Sequence, residues 1–491
     1  MANTAIENGQ QYNSAKLWQI GLFALNNTAT NLYLFIIGFV SYYATGIAGL
    51  TVVVVSAVIG LSRVFDAVTD PIIGFIIDKT ESKFGKFRPL MILGNAILAG
   101  SVLIMYNVTH SLPEALQLPF FIVMYAIYIV GYTFQTATTK AAQTVLTNDP
   151  KQRPLFSIFD ATYNIGVFTG GQIFVASYLV DKHGDFTMSL FTELNTYGIV
   201  LSGIFTILAV IAINNRDRKE FYGLADGTVQ TKFRDYWPIL KGNRPLQMLV
   251  IAASTDKIAG MVLRQPAVYI MFFGIMMGDY ALSGTVSLVT IVPTLLITFL
   301  GVRLATKTGL KNALVKATWL GIITAFLLVG FFLLIEPSTI SLENIGLTTI
   351  IFLLLYAVLR GIESLTPAIV IPMIADVSDY ETYKTGRYVP GMLGTIFSFI
   401  DKVMSSLAPA LVGITVGFIG YENEFPQLGE ALTTPLLVAT LVLMFGIPIV
   451  GWLITLTAMH FYHLDEKKME EVQTAIAEVK EKVKEEESPA I

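Results

Sequence analysis

The stretch "RVFDAVTDPIIGFIID", residues 63 to 78, sets two carboxylates, Asp66 and Asp70, among Val, Ile, Phe, Ala and Gly. A helix places side chains four residues apart on one face. Two carboxylates within about 6 Å repel each other unless a cation lies between them or one takes a proton. Thr69 adds a hydroxyl beside Asp70. Oxygen-only donors of this kind suit Na⁺ or another hard cation and not a transition metal. The competing reading pairs Asp66 with Arg63, one turn earlier, as a structural ion pair and leaves Asp70 to the cation.

Uncharged polar residues gather in two further stretches. "LNNTATN", residues 25 to 31, carries Asn26, Asn27, Thr28 and Thr30, and "YTFQTATTK", residues 132 to 140, carries Thr133, Thr136 and Lys140. Amides and hydroxyls lining a cavity are what a polyhydroxylated ligand requires, because each hydroxyl that leaves water needs a partner. Hydrogen bonding between neighbouring helices is the other use of such residues. More ionisable groups follow in apolar surroundings: Asp160, Asp256, Lys257, Arg264, Arg360, Glu363, Asp401 and Lys402. Charge inside a membrane is costly and usually faces a cavity or a partner. Asp256 with Lys257, Asp401 with Lys402 and Arg360 with Glu363 also read as internal pairs, Lys140 as a snorkelling lysine and Asp160 as an acid near a helix start.

The elements that must position these groups are membrane helices. Of 491 residues 54% are hydrophobic and 14% charged, and the mean hydropathy is +0.64. Apolar windows predict about twelve spans, near 18–44, 50–77, 89–109, 117–146, 155–181, 193–214, 245–276, 281–302, 311–334, 345–374, 390–420 and 433–461. The expected class is an all-α membrane protein. With both ends inside, Lys79, Lys83, Lys86, Arg88, Arg216, Lys219, Arg303, Lys307 and Lys384 fall in interior loops or at their edges and Lys182 alone falls outside, a bias that orients the chain under the positive-inside rule. A six-helix half over 1–214, a charged central loop over 215–244, a second half over 245–461 and a charged tail over 462–491 are expected. "GFIIDKTESKFGKFRP" after the second span and "GVRLATKTGLKNALVK" after the eighth occupy equivalent places, as parallel repeats do. In the tail, Met469, Val472, Ile476, Val479 and Val483 recur at helical spacing, so an amphipathic helix forms that packs on the bundle or on nothing.

Several classes fall away. Cysteine is absent, which removes disulfides, thiolate catalysis and Cys-ligated metals. The four histidines, His110, His183, His460 and His463, lie near predicted helix ends or in loops and show no metal spacing. The polar N-terminus lacks the basic region and cleavage site of a signal peptide, so the first span is expected to be retained.

The stretch "RVFDAVTDPIIGFIIDKTESKFGKFRP", with Arg63, Asp66, Asp70, Pro71, Gly74, Asp78, Thr80, Ser82, Gly85, Lys86 and Pro89 in register, resembles the second-helix signature of the glycoside-pentoside-hexuronide:cation symporters of the major facilitator superfamily. "LTNDPKQR", residues 146 to 153, and "ADVSDYETYKTG", residues 375 to 386, resemble two more of that family's motifs. The resemblance covers about residues 15 to 465 and implies a major facilitator fold of two six-helix halves. It implies that Asp66, Asp70 and Thr133 ligate the coupling cation with Thr69 beside them, and that Lys402 touches cation and sugar. The sugar residues depart from the melibiose permease of that family. Ala29 and Thr30, Thr136 and Lys140, and Asp160 or Ala161 stand where it has charged and aromatic side chains, and Pro390 replaces a loop glutamate. Galactoside transport of that type is therefore not expected.

These residues together predict a secondary active transporter, not an enzyme, that couples uptake of a sugar or glycoside to Na⁺, H⁺ or Li⁺ by alternating access. Asp66, Thr69, Asp70 and Thr133 would bind the cation. Asn27, Thr30, Thr136, Lys140, Asp160 and Lys402 would contact substrate, and Lys140 leaves open an anionic one such as a hexuronide. Asp78, Lys79, Lys86 and Arg88 would form a gating network. A monomer in the plasma membrane with both termini cytoplasmic is expected, without nucleic acid and without a cofactor beyond the coupling cation. The rivals are a carrier of a non-sugar solute on the same fold, a membrane-embedded enzyme and a receptor.

Overall fold

A backbone with no water around it must satisfy its own N–H and C=O groups, and an apolar run long enough to cross a bilayer therefore closes into a helix. The structure, a computed structural model, describes residues 3–7, 10–80, 82–147, 152–218, 240–385 and 390–475. Two short strands, β1 (Asn3–Glu7) and β2 (Gln10–Ser14), pair antiparallel ahead of the first helix. The helices in the first part of the chain are α1 (Leu17–Gly46), α2 (Val52–Lys79), α3 (Phe87–Val108), α4 (Glu114–Leu146), α5 (residues 153–183) and α6 (Met188–Ile213). Those in the second part are α7 (Arg244–Leu263), α8 (Leu282–Thr308), α9 (Leu310–Leu334), α10 (Leu347–Thr385), α11 (Pro390–Ser405, then Leu407–Phe418) and α12 (Thr434–His460). Eleven helices among the described residues are long and apolar enough to cross a membrane.

The boundaries differ from expectation where backbone chemistry intervenes. The span expected at 245–276 is two helices, α7 and Pro266–Met276. Pro266 has no N–H to donate and holds Gln265 extended (φ −70°, ψ 132°), which ends α7. The span expected at 155–181 is α5, which contains two π-helical stretches, Gly166–Gly170 and Phe174–Leu179. A Cβ on Gly171 would stand 2.9 Å from the Phe35 ring, so the small residue lets α1 and α5 approach closely.

The chain divides into two compact units. The first is Met1–Thr228 with Ser283–Thr285 and Gly413–Glu430, and the second is Val229–Leu282, Val286–Val412 and Ala431–Ile491. In the first, α1 packs on α6, α5 and α4, and α3 packs on α4 and α6. The same pairs recur six helices later: α7 with α12, α11 and α10, and α9 with α10 and α12. Ile20, Phe23, Met91, Leu146 and Ile213 are at the core of the first unit. Leu249, Leu314, Ile369, Met373 and Met459 are at the core of the second. Large apolar side chains remain exposed on helix faces, among them Leu61, Val68 and Ile72 of α2 and Leu295, Phe299 and Leu300 of α8. In a membrane protein such faces meet lipid.

The tail is helical over residues 466–475 and packs on the second unit, with Met469 against its core and Val472 fully buried. Most of the expected central loop, residues 219–239, and the tail beyond 475 lie outside the described residues. So do residues 148–151 of the second motif, Arg387, and the side chains of Asp78, Arg153 and Pro390.

Candidate functional site

In the middle of α2 the helix puts Asp66 inward and leaves Asp70 exposed, one turn on, while the intervening Thr69 is buried. Asp66 is 3% exposed. Thr133 of α4 donates its hydroxyl to Asp66 Oδ1 at 2.5 Å. Thr69 donates its own hydroxyl to the Asp66 carbonyl at 3.0 Å and stands 3.4 Å from Thr133 Oγ1. Asp66, Thr69 and Thr133 thus form one hydrogen-bonded cluster of hard oxygens, and Asp70 lies on the adjoining turn of the same helix. A carboxylate and two hydroxyls, with a second carboxylate on the next turn, are oxygen donors of the kind a hard cation takes.

The second site begins at the next residues of α4. A cavity of about 160 Å³ has Asn27, Thr136, Lys140 and Asp160 in its wall. Asn27 donates Nδ2–H to Asp160 Oδ1 at 2.7 Å, and one turn further along both helices Asn31 does the same to Asn164 Oδ1 at 2.5 Å. Four of the six substrate residues expected from sequence are therefore gathered in one cavity. Thr30 is not among its lining residues. It is fully buried and its hydroxyl donates back to the Asn26 carbonyl at 3.1 Å. Lys402 is half-buried on α11 in the second unit.

Sequence reasoning missed Phe23, Phe156, Ser157 and Gln143, which also line this cavity. Phe23 and Phe156 meet edge to face with centroids 5.7 Å apart, and both are buried in the core of the first unit, which they join to the cavity wall. The signal was present as spacing: Gln143 follows Lys140 by three residues and Phe156 precedes Asp160 by four, which places each on the same helix face. The neighbouring polar residues serve the bundle itself. Asn26 donates to Thr139 at 2.6 Å and accepts from Gln135 at 2.9 Å, all of them buried. Asn27, one residue on, turns away from that network into the cavity.

Of the residues expected to gate, Lys79 lies over the Phe75 ring at 4.4 Å. Lys86 and Arg88 converge on a residue that sequence reasoning overlooked. Asp217, just beyond α6 and 1% exposed, accepts the backbone N–H groups of Lys86, Phe87 and Arg88 at 3.0, 3.0 and 2.9 Å. It also pairs with Arg88 Nε at 3.4 Å, and Arg88 Nη1 donates to Asn214. The N–H groups at the start of α3 have no partner inside that helix, and the buried carboxylate supplies one for them. Gly85 is needed there: its φ is +94°, and a Cβ would fall 2.2 Å from Asp217 Oδ2.

The charged residues of the second unit pair differently from the adjacent pairs expected. Lys257 bonds Asp401 at 2.9 Å, linking α7 to α11, instead of its neighbour Asp256. Successive residues point about 100° apart round a helix, so adjacent charges do not face each other. Arg360 and Glu363, at i and i+3, do pair, at 2.6 Å.

Residues 20–466 match the profile of a family described as MFS/sugar transport protein. The chain is 25% identical to an uncharacterized symporter, YnaJ, of Bacillus subtilis (strain 168), with 91% of each chain covered. It is 26% identical to a putative glycoside/cation symporter, YagG, of Escherichia coli (strain K12), with 80% of this chain and 81% of that one covered. The solved structure of the nucleoside transporter NupG superposes with a TM-score of 0.62 over 92% of this chain and 100% of that one, at 12% identity, a likeness of fold alone.

Proposed function

Because the chain belongs to the MFS/sugar transport protein family, we propose that this multi-pass membrane transporter moves a sugar or glycoside together with a cation by alternating access. Membership of a transporter family sets aside the membrane-embedded enzyme. The observation that carries the proposal is the position of Thr133 and Thr136 on α4. Thr133 is bonded to Asp66 in the carboxylate cluster, and Thr136 lines the Asn27–Asp160 cavity. The name of the relative YagG, a putative glycoside/cation symporter, supports the same pairing of ligands.

In this reading Asp66, Asp70, Thr69 and Thr133 hold the cation, Na⁺ before H⁺ or Li⁺, because the donors are all hard oxygens. The cation relieves the repulsion between the carboxylates and steadies α4, so the cavity one turn away is ordered when substrate arrives and the two ligands bind cooperatively. Asn27 and Asp160 offer a donor and an acceptor to sugar hydroxyls. Lys140, exposed at the cavity, suits a carboxylate-bearing sugar. Lys402 is proposed as a further contact on the strength of the sequence alone. Asp78, Lys79, Lys86 and Arg88 are proposed to gate, and each six-helix half to act as a unit. The basic residues of the interior loops support cytoplasmic termini, and a monomer in the plasma membrane is proposed on the family resemblance.

The test is thermal stability of the purified protein against a panel of sugars and glycosides, with and without Na⁺, for wild type and Asp70→Asn. A bound ligand raises stability by about 2.7 kcal/mol at a hundredfold excess over Kd. Stabilisation by a sugar only with Na⁺, lost in the variant, supports symport. Stabilisation of wild type by neither Na⁺ nor a change of pH would return the two aspartates to a structural role.

A further inference from the structure

Four residues of α1 and four of α5 meet in register, one helical turn after another. Phe23 meets Phe156 with ring centroids 5.7 Å apart, Asn27 bonds Asp160, Asn31 bonds Asn164, and Phe35 meets Phe168 edge to face at 6.4 Å. Both sets recur every four residues, so each lies along one face of its helix. The seam is therefore polar over two turns and aromatic at both ends. Its ends differ. Phe23 and Phe156 are 0% and 5% exposed, whereas Phe35 is half-buried and Phe168 is 41% exposed. The first end is sealed in the core and the second is accessible.

Of the two polar turns, only Asn27 and Asp160 line the cavity of about 160 Å³. That volume is well below the roughly 300 Å³ at which ligand pockets begin. A glycoside seated there must extend out of it, and along the seam the polar surface continues in one direction, to Asn31 and Asn164. All four polar side chains are half-buried. The bond between Asn31 and Asn164 uses one atom of each amide, and Asn31 Oδ1 and Asn164 Nδ2 make no other hydrogen bond among the described residues. An amide that only joins helices is buried and uses both its atoms, as Asn26 does with Thr139 and Gln135. Open amide atoms within an apolar bilayer are costly unless water or a polar ligand meets them.

We propose that Asn31 and Asn164 read the second ring of a two-ring glycoside whose first ring is held at Asn27 and Asp160, an assignment that rests on the sugar transport proposed above. One helical turn rises about 5.4 Å, close to the repeat from one sugar ring to the next. The open atoms of the second turn, an acceptor and a donor, suit hydroxyls, so the second ring is itself a sugar and not an apolar aglycone. Beyond it the seam presents Phe35 and Phe168, which offer no partner to the hydroxyls of a third ring. The substrate class is a disaccharide, in preference to a monosaccharide or a trisaccharide.

The experiment is calorimetric titration of the full-length protein in detergent and NaCl with three series of sugars: glucose, maltose and maltotriose; glucose, cellobiose and cellotriose; xylose, xylobiose and xylotriose. Wild type, Asn31→Ala and Asn164→Ala are compared, each first checked by its melting temperature without ligand. The expected result is a disaccharide bound roughly tenfold tighter than the monosaccharide and the trisaccharide of its series, the worth of one or two hydrogen bonds. In either variant the ratio of disaccharide to monosaccharide affinity falls several-fold. A wild type that binds a monosaccharide or a trisaccharide as tightly as the disaccharide, or variants that weaken monosaccharide and disaccharide alike, overturn the assignment and leave sugar transport standing. The wild-type comparison decides even where a variant fails to fold. A wild type that binds no member of any series overturns the assignment together with the sugar reading.

Discussion

Thr136 donates its hydroxyl to the carbonyl of Thr133 across 3.2 Å, and the Thr133 hydroxyl in turn donates to Asp66 Oδ1 at 2.5 Å. One turn of α4 therefore joins the wall of the proposed sugar cavity to the buried carboxylate of the proposed cation site. On the proposed function, a cation that draws on Asp66 would be felt at Thr136 through a single helical turn. This makes the coupling testable residue by residue.

Thr133→Val removes a hydroxyl that serves a carboxylate, an interaction of about 1.5–3 kcal/mol. Cation affinity should fall roughly tenfold to a hundredfold, and Thr133→Ser should retain it. Titration of Na⁺ against melting temperature reads both. An unchanged Na⁺ response in Thr133→Val would remove this hydroxyl from the site.

Asp66 and Asp70 should separate in stability. Asp66 is buried and hydrogen-bonded, so Asp66→Ala should destabilise the cation-free protein by about 1–3 kcal/mol. Asp70 is exposed, so Asp70→Ala should stay within about 0.5 kcal/mol of wild type. Both should lose stabilisation by Na⁺. Equal melting of the two variants without Na⁺ would contradict the difference in burial.

Asn27→Ala and Asp160→Ala should each raise KM for the transported sugar about tenfold, the worth of roughly one hydrogen bond to a charged partner. Because the two side chains bond each other, their effects should not add. Thr30→Ala should leave KM unchanged, since that hydroxyl serves the helix backbone. Lys140→Ala should weaken uptake of an acidic sugar and spare a neutral one. Equal uptake of the acidic sugar by wild type and Lys140→Ala would remove the case for an anionic substrate.

Gly85→Ala should destabilise the α3–α6 end by about 1–3 kcal/mol, from the positive φ and from contact with Asp217. Asp217→Ala should cost about 0.5–2 kcal/mol through loss of the cap, and Gly85→Ala should cost less once Asp217 is gone. Thermal unfolding of the two single variants and the double variant measures this. Strict additivity would mean that the two residues do not meet.

The tail attachment should depend on pH in one direction on each side. The hydrogen bond from Lys468 and then that from Tyr383 hold Glu471 below the usual carboxylate range. Its contribution is present above the ordinary glutamate value of about 4.3 and is lost as pH falls through the lowered one. The hydrogen bond to Glu471 raises Lys468, so its share is present below the ordinary lysine value and is lost as pH rises through the raised one. Hydrogen exchange over residues 466–475, divided by the intrinsic rate at each pH, should therefore be level from about pH 5 to 9 and quicken outside that window. Val472→Asp should quicken it at every pH.

The sequence by itself determined the class of molecule and named the residues of the proposed cation site. Twenty-residue apolar runs leave a chain in lipid no alternative to helices, and four-residue spacing on a helix fixes that Asp66 and Asp70 share a face. It also put Asn27, Thr136, Lys140 and Asp160 forward by type. Only the tertiary structure decided which face of each helix meets a cavity. Asn26 and Asn27 are adjacent and alike, yet packing of α1 against α4 and α5 ties the first into a buried network and turns the second to the cavity. Asp217 lies outside every motif and becomes visible only when the end of α6 is brought to the start of α3. A partner some 130 residues away is set by helix packing, and no local spacing encodes it.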